Sequence, residues 1–414
     1  MSDPLANIPR IAEKRIALRI TPEAERAIRQ GHPWLFERAI TRQSDDGSPG
    51  DIAVVFDRKR RFLAVGLFDP VSPIRVKILA AGKPASIGRH WFQQKIASAC
   101  KLRAALLAQS APRETTGCRL IHGENDGLPG LVLDRYENTL VLKLYTSVWL
   151  PHLREILPVL PAAERVILRL GRQLADQPGD LFGLEDGMVL SGDPIAGPVL
   201  FSENGLRFEA DPVQGQKTGF FFDQRDNRSM VEDLAAGKEV LNVFAYTGGF
   251  SVYAARGGAE RVVSVDSSAA ALAAAERNWA RNRQVFPIDG VAHTILVEDA
   301  FEVLPRLAAE GRRFDMVILD PPAFARAHHQ VERALAAYRR LTILGLGVLK
   351  KDGILVQASC SSRVTADDFF KQIHQAARMS GRPLVELART GHAVDHPISY
   401  PEGAYLKCLF AKAD

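Results

Sequence analysis

The stretch EVLNVFAYTGGFSVYAARGGAERVVSVD, residues 239–266, reads as strand, turn, helix and strand. EVLNVFA is a mostly apolar run of strand length, followed by a turn at Gly248 and Gly249. The segment that follows has helical character and stops at Gly257 and Gly258; RVVSVD is a second strand ending at Asp266. Apolar strands joined through a helix mark a parallel sheet covered on both faces. The alternation continues: the Ala-rich SAAALAAAERNWARNR predicts a helix over 268–283, and HTILVED, FDMVILD and GILVQAS are three further strands, each followed by helical sequence. YLKCLF is a last strand after the turn-rich HPISYPEG and is expected to pair antiparallel with LVELAR. Residues 201–414 are therefore expected to form a doubly wound, Rossmann-like α/β domain.

Upstream, the character changes twice. In residues 1–85, RIALRI alternates, Thr21 and Pro22 open a short helix ending at Gly31, and DIAVVFD, RFLAVGLFD and IRVKIL are strands. This predicts a small β-barrel with one helix. Residues 86–200 predict a small α+β domain. Its elements are a helix in HWFQQKIASACKLRAALLAQ, three strands in RLIHGENDGLPGLVLDRYENTLVLKLY, a helix in LPHLREILPVL and a strand in RVILRL. Residues 173–200, rich in Gly, Asp and Pro, are expected to be a loop or irregular hairpin.

Composition excludes several classes. With 414 residues, 46% hydrophobic and 24% charged, the chain is an ordinary globular protein of two to four domains, neither disordered nor collagen-like. No apolar run reaches the ~18 residues of a membrane helix, and the N-terminus lacks the apolar stretch of a secretory signal. Cys100, Cys118, Cys360 and Cys408 are scattered, which argues against a disulfide framework or a metal site and for a reducing cytoplasm. Of the net charge of +5, the excess sits at one end: residues 1–92 carry 16 Lys/Arg against 10 Asp/Glu. Arg58, Lys59, Arg60 and Arg61 run together there, as a solvated loop or a patch for a polyanion.

Ligands of a doubly wound sheet bind at the carboxyl ends of its strands. Gly248 and Gly249 open a turn there, with free amides at the helix start, although paired glycines also serve tight strand–helix packing. Asp266 ends the next strand 17 residues after Gly249, placed to accept from ribose hydroxyls or to cap a helix. Asp299, ending HTILVED, is placed either to contact an adenine edge or to cap. The dinucleotide fingerprint is absent, and Gly215-Gln216-Lys217-Thr218 lacks Walker A spacing, so dinucleotide binding and ATP hydrolysis are excluded. An adenosine-bearing cofactor without a diphosphate, S-adenosylmethionine, suits the pattern. Asp320-Pro321-Pro322-Ala323-Phe324 then places a carboxylate and an aromatic ring on a stiff loop, suited to a flat hydrogen-bonding base. Cys360, in Ser359-Cys360-Ser361, follows the next strand. It is a candidate nucleophile, or else a small buried hydrophobe.

These residues resemble a known family, the bacterial large-subunit ribosomal RNA cytosine-5 methyltransferases with an N-terminal PUA domain, a class I S-adenosylmethionine-dependent group. The resemblance covers nearly the whole chain. It rests on GHPWLF (31–36), HGENDGLPGLVLDRY (122–136), GQKTGFFFDQRDNR (215–228), LNVFAYTGGFS (241–251), VVSVD (262–266), DPPAF (320–324), SCS (359–361) and DHPISYPEGAYLK (395–407). It implies that Phe244, Tyr246, Gly248 and Gly249 line the methionine side of the cofactor, with Asp266 at its ribose and Asp299 at its adenine. Asp223, Gln224 and Arg225 are implied beside the pocket, Cys360 as nucleophile and Asp320 as the group recognising the base. Pro321, Pro322 and Phe324 are expected at the substrate, with Arg58, Lys59, Arg60 and Arg61 on the surrounding ribosomal RNA.

One departure stands out: many RNA cytosine-5 methyltransferases of other families carry a second cysteine where this chain has Pro322. Two alternatives remain. One is methylation of an exocyclic amine, such as guanine's, through the Asp-Pro-Pro-aromatic motif; the other is a non-catalytic RNA-binding or assembly protein. The oligomeric state, monomer or homodimer, is left open.

Overall fold

The computed structural model describes residues 3–9, 15–175, 181–283, 285–286, 288, 290–325 and 327–414. The expectations for the extreme N-terminus and for part of the 173–200 loop fall on residues outside this set. Two compact units form. The first is Met1–Ser202 with Ala210–Phe220 and Asp395–Tyr400; the second is Glu203–Glu209, Phe221–Val394 and Pro401–Asp414.

The first unit opens with β1 (Ile16–Ile20), α1 (Pro22–Arg29), β2 (Trp34–Phe36), β3 (Ile40–Gln43), β4 (Ile52–Phe56), β5 (Phe62–Phe68) and β6 (Ile74–Ala81). The strands lie in the order β2-β6-β5-β4-β1-β3, and a single-turn 3-10 segment, Glu37–Ala39, joins the two edge strands. The Thr21 hydroxyl caps α1 by accepting from Ala24 N, with Pro22 in its first turn. Ile16, Leu18, Leu35, Val55 and Phe68 fill the interior. The short β2 and β3 are not individually legible in the sequence, because runs of three and four residues are too short to show a period.

Next come α2 (Arg89–Leu102), α3 (Ala104–Leu107), β7 (Gly117–His122), β8 (Leu131–Tyr136), β9 (Thr139–Leu144), α4 (Leu153–Ile156), β10 (Arg165–Leu170), α5 (Arg172–Ala175) and β11 (Val189–Ser191). They build a sheet in the order β11-β10-β9-β8-β7. The helix expected in LPHLREILPVL is mostly 3-10, since Pro151 and Pro158 remove two of its amide donors. Within the expected 173–200 loop, Val189–Ser191 adds an edge strand.

Buried ion pairs lock three of the quoted motifs together in this unit. Arg119 forks onto Asp134 at 2.8 and 2.9 Å, and Arg103 onto Asp126 at 2.9 and 2.8 Å. Asp134 also accepts from the Thr218 hydroxyl, and Asp395 accepts from Arg119 N at 2.9 Å. Bidentate pairing of this kind compensates charges withdrawn from water.

The chain then runs through β12 (Val199–Glu203) and β13 (Leu206–Ala210) into the second unit. There follow α6 (Arg225–Leu234), β14 (Glu239–Val243), α7 (Gly249–Arg256), β15 (Arg261–Asp266), α8 (Ala269–Arg283), β16 (Ala292–Val297), α9 (Ala300–Ala309) and β17 (Phe314–Leu319). The last elements are α10 (Val331–Gly347), β18 (Leu349–Ser359), α11 (Ala366–Met379), β19 (Leu384–Thr390) and β20 (Lys407–Ala413). Seven strands lie in the order β16-β15-β14-β17-β18-β20-β19. The first five are parallel, and β20 runs antiparallel between β18 and β19. This is the doubly wound α/β domain expected from the sequence. Its strand order reverses between β14 and β17, and the crevice of such a sheet opens at that switch point. No helix among the described residues is long and apolar enough to cross a membrane.

Candidate active site

Two neighbouring strand ends carry the site. At the end of β14, Phe244 (φ 63°) and Tyr246 (φ 48°) both take the left-handed backbone conformation, which costs non-glycine residues energy and concentrates where function requires it. The turn is held from the next strand: Tyr246 N donates to Asp266 Oδ2 at 2.9 Å, while Asp266 Oδ1 accepts from Ser268 N at 2.9 Å. Asp266 thus braces the turn and stays half-exposed at the crevice.

Gly248 (φ +79°) precedes α7, whose first turn has no side-chain cap. A Cβ on Gly248 would come within 2.9 Å of Ala275 Cβ, so this glycine answers to helix packing. Gly249 is the first residue of α7. The Thr247 hydroxyl oxygen is buried with no hydrogen-bond partner among the described residues.

The turn therefore offers uncapped amides, a hydroxyl, two half-buried aromatic rings and a carboxylate, with no basic side chain in residues 244–251. That donor set fits an adenosine cofactor carrying an amino acid, and it lacks the cationic cradle of a diphosphate. The sequence reading missed Thr247; its place between a strand end and Gly248 was the available signal.

Asp299 sits differently from the strand-end expectation. β16 stops at Val297, and Asp299 is the N-cap of α9, with Oδ1 accepting from Phe301 N at 2.8 Å. Its side of the alternative weighed above, capping, is occupied; the residue is also exposed.

Asp223, Gln224 and Arg225 are buried at the start of α6. Asp223 Oδ2 accepts from the Tyr405 hydroxyl at 2.7 Å, Gln224 Oε1 accepts from Asn227 Nδ2, and Arg225 pairs with Glu203 at 3.3 Å. The preceding Phe221 packs edge-on against Tyr246 with ring centroids 5.1 Å apart, which sets this segment beside the β14 turn.

The second strand end is that of β17. Asp320 follows Leu319, half-exposed, and the buried Pro321 comes next. On the adjoining strand, Cys360 follows Ser359, half-buried, with Sγ 3.8 Å from the Pro321 carbonyl oxygen. The hydroxyls of Ser359 and Ser361 both meet Tyr338 Oη of α10, at 2.7 and 2.8 Å. Ser361 Oγ also accepts from Phe324 N at 3.0 Å.

Phe324 packs against Tyr338 with ring centroids 4.9 Å apart, and Pro322 is exposed. Lys407 is 3% exposed and donates to the carbonyls of Ser361, Val364 and Tyr405 at 2.6, 2.7 and 3.1 Å. Burial lowers its pKa to about 8, an effect the nearby Cys360 charge opposes. Ser361, Tyr338 and Lys407 escaped the sequence reading, because their partners lie far away along the chain.

Arg58, Lys59, Arg60 and Arg61 belong to the first unit, on the exposed β4–β5 turn. Asp57 organises that turn by accepting from Lys59 N at 2.8 Å and Arg61 N at 2.9 Å, and it pairs with the Arg61 guanidinium at 2.9 Å. The Arg61 amide hydrogen bond, with the Arg61 charge, holds Asp57 below the usual carboxylate pKa. Among the described residues no group of three or more His, Cys, Asp or Glu is placed to hold a metal ion.

Comparison with known proteins agrees with this architecture. A family profile described as S-adenosylmethionine-dependent methyltransferase matches residues 130–399, and one described as PUA-like domain matches residues 18–81. The chain is 46% identical over 418 residues to the "Ribosomal RNA large subunit methyltransferase" of Deinococcus radiodurans, covering 100% of each. It is 34% identical over 395 residues to the "Ribosomal RNA large subunit methyltransferase I" of Pseudoalteromonas translucida, covering 94% of this chain and 97% of that one. A solved SAM-dependent methyltransferase structure from Streptococcus mutans shares the fold, with a TM-score of 0.80, 23% identity, and coverage of 96% of this chain and 99% of that one.

Sheet, crevice and profile define the class, an S-adenosylmethionine-dependent methyltransferase with a PUA-like domain. Within that class the chain belongs to the family of the large-subunit ribosomal RNA methyltransferases named above.

Proposed function

We propose that this enzyme methylates carbon 5 of a cytosine in large-subunit ribosomal RNA through a covalent intermediate at Cys360. The observation that carries the reading is the thiol itself. Cys360 is half-buried at the carboxyl end of β18, 3.8 Å from the backbone that follows Asp320, beside the switch point of a methyl-donor fold. The relatives named for large-subunit ribosomal RNA supply the substrate class.

Bound S-adenosylmethionine supplies an electrophilic sulfonium methyl. Carbon 5 of cytosine is too weak a nucleophile to take it unaided. The Cys360 thiolate adds to carbon 6, and the ring electron pair moves toward carbon 5, which then bonds the methyl carbon as the bond from that carbon to sulfur breaks and the thioether product leaves with its electron pair. A base removes the carbon-5 proton, and the electron pair returns to expel the thiolate. Protonated Asp320 donates to ring nitrogen 3 as the electron pair gathers there and recovers that proton when the thiolate leaves. The base must be unpaired or extruded to reach the crevice.

In this reading Phe244, Tyr246, Gly248 and Gly249 flank the methionine part, Asp266 takes the ribose hydroxyls and Asp299 turns its second oxygen to the adenine. Asp223, Gln224 and Arg225 shape the wall beside Tyr246, and Pro321 and Pro322 stiffen the substrate loop. Residues 1–85 act as the RNA-holding domain, 86–200 as a central domain and 201–414 as the catalytic one. Arg58, Lys59, Arg60 and Arg61 contact phosphates.

Transfer to an exocyclic amine requires no thiol, and Phe324, the ring that reading depends on, is packed against Tyr338. Incubation with the cofactor and unmodified ribosomal RNA, followed by nucleoside mapping, tests the proposal. 5-Methylcytosine is expected; an N-methylated purine would contradict it.

A further inference from the structure

Lys407 begins β20 and pairs in register with Ser359, the residue before Cys360. Its ammonium is withdrawn from water and donates to three carbonyl oxygens, of Ser361, Val364 and Tyr405. Among the described residues it forms no ion pair with a carboxylate. Burying a lysine without a counter-ion is costly, and neutral donors could hold carbonyls at less expense. The charge therefore calls for a second explanation, and Cys360 is the adjacent group able to become its counter-ion.

We propose that Lys407 is a positioning residue for Cys360: it pins the 361–364 backbone that follows the thiol and keeps a positive charge beside it, so that the thiolate is present at neutral pH. The inference rests on the reading of Cys360 as nucleophile and deepens it. The other titratable groups around the thiol give no such help. Asp320, at the end of β17, is a carboxyl group and supplies no positive charge. Tyr338 on α10 is held neutral by burial, as is Cys408 on β20, and the Tyr405 hydroxyl donates a hydrogen bond to Asp223. Arg363 in the following loop is exposed to solvent screening. Lys407 is the buried cation of the set.

The test is alkylation of the full-length protein by iodoacetamide across pH, read at the Cys360 peptide by mass spectrometry so that Cys100, Cys118 and Cys408 are separated. The wild-type rate should reach half its maximum below the ~8.5 of a free cysteine. Lys407→Gln, which keeps donors and loses the charge, should move that midpoint up by about one pH unit or more, roughly a tenfold slower reaction at pH 7. Lys407→Arg should retain the wild-type midpoint. Coincident wild-type and Lys407→Gln profiles overturn the proposal. Should Lys407→Gln fail to fold, a wild-type midpoint at or above that of free cysteine overturns it equally. The profile reports thiol acidity whether or not Cys360 attacks RNA. Turnover by Cys360→Ala would remove the nucleophile alone, and covalent trapping at Cys360 with an unshifted profile would remove Lys407's role alone.

Discussion

The hydroxyl oxygen of Ser361 stands 3.0 Å from the backbone nitrogen of Phe324, so the loop bearing Cys360 is fastened to the loop that begins at Asp320. The same oxygen lies 3.3 Å from Ala325 N and 2.8 Å from Tyr338 Oη. One buried side chain thus sets the distance between the proposed nucleophile and the proposed base-recognising carboxylate. Ser361→Ala removes the acceptor of Phe324 N, with an expected loss of about 1–3 kcal/mol in urea unfolding. A larger drop in kcat than in cofactor affinity should accompany it, measured by turnover and by calorimetric titration.

Asp266 does two things at once, bracing the Tyr246 turn and facing the crevice. Asp266→Ala should weaken S-adenosylmethionine binding roughly ten- to a hundredfold, the cost of losing hydrogen bonds to a charged acceptor. Isothermal titration of the variant, with thermal melting to confirm folding, checks this. Unchanged affinity would take the ribose role from Asp266.

His293 carries a pH dependence. It stacks on Trp279 with ring centroids 4.0 Å apart, and burial lowers its pKa to about 4 from 6.5. The unfolded chain therefore binds a proton there that the folded chain refuses. The stability is fully present above pH 6.5 and is lost as the pH falls toward 4, amounting to about 3 kcal/mol at the acid limit. His293→Phe should flatten the stability–pH curve across that window, measured by urea unfolding at closely spaced pH values.

Much of this architecture was legible because its signals are local. EVLNVFA and RVVSVD are short, mostly apolar runs, the first followed by a glycine pair and the second ended by Asp266, and they became β14 and β15. Asp320 and Cys360 could be placed at strand ends for the same reason. What stayed hidden depends on distant pairing. Ser361 meets Tyr338 across 23 positions, and Lys407 meets Ser361 across 46. GQKTG and DHPISY belong to the first unit, although both lie within the span read as the catalytic domain. Asp299 reads in the sequence as the end of the strand HTILVED, with capping as its alternative role; the structure ends the strand at Val297 and gives the carboxylate to a helix start.

The β4–β5 turn offers a separate test of RNA contact. Arg61, though exposed, is tied to Asp57; Arg58, Lys59 and Arg60 are exposed as well. Replacing those three by Ala should reduce the slope of log affinity for ribosomal RNA against log salt by about 2–3 and leave cofactor binding unchanged. Filter binding at several salt concentrations measures it; an unaltered slope would move the RNA contact elsewhere.

The covalent step itself is the most direct target. RNA carrying 5-fluorocytosine at the mapped position has fluorine in place of the carbon-5 proton, which no base can remove, so an enzyme acting through Cys360 stalls while joined to its substrate. With cofactor present, the wild-type protein should form a denaturation-resistant complex whose cross-linked peptide contains Cys360, and Cys360→Ala should form none. Wild-type turnover of ordinary RNA without any such complex, or turnover by Cys360→Ala, would contradict the account.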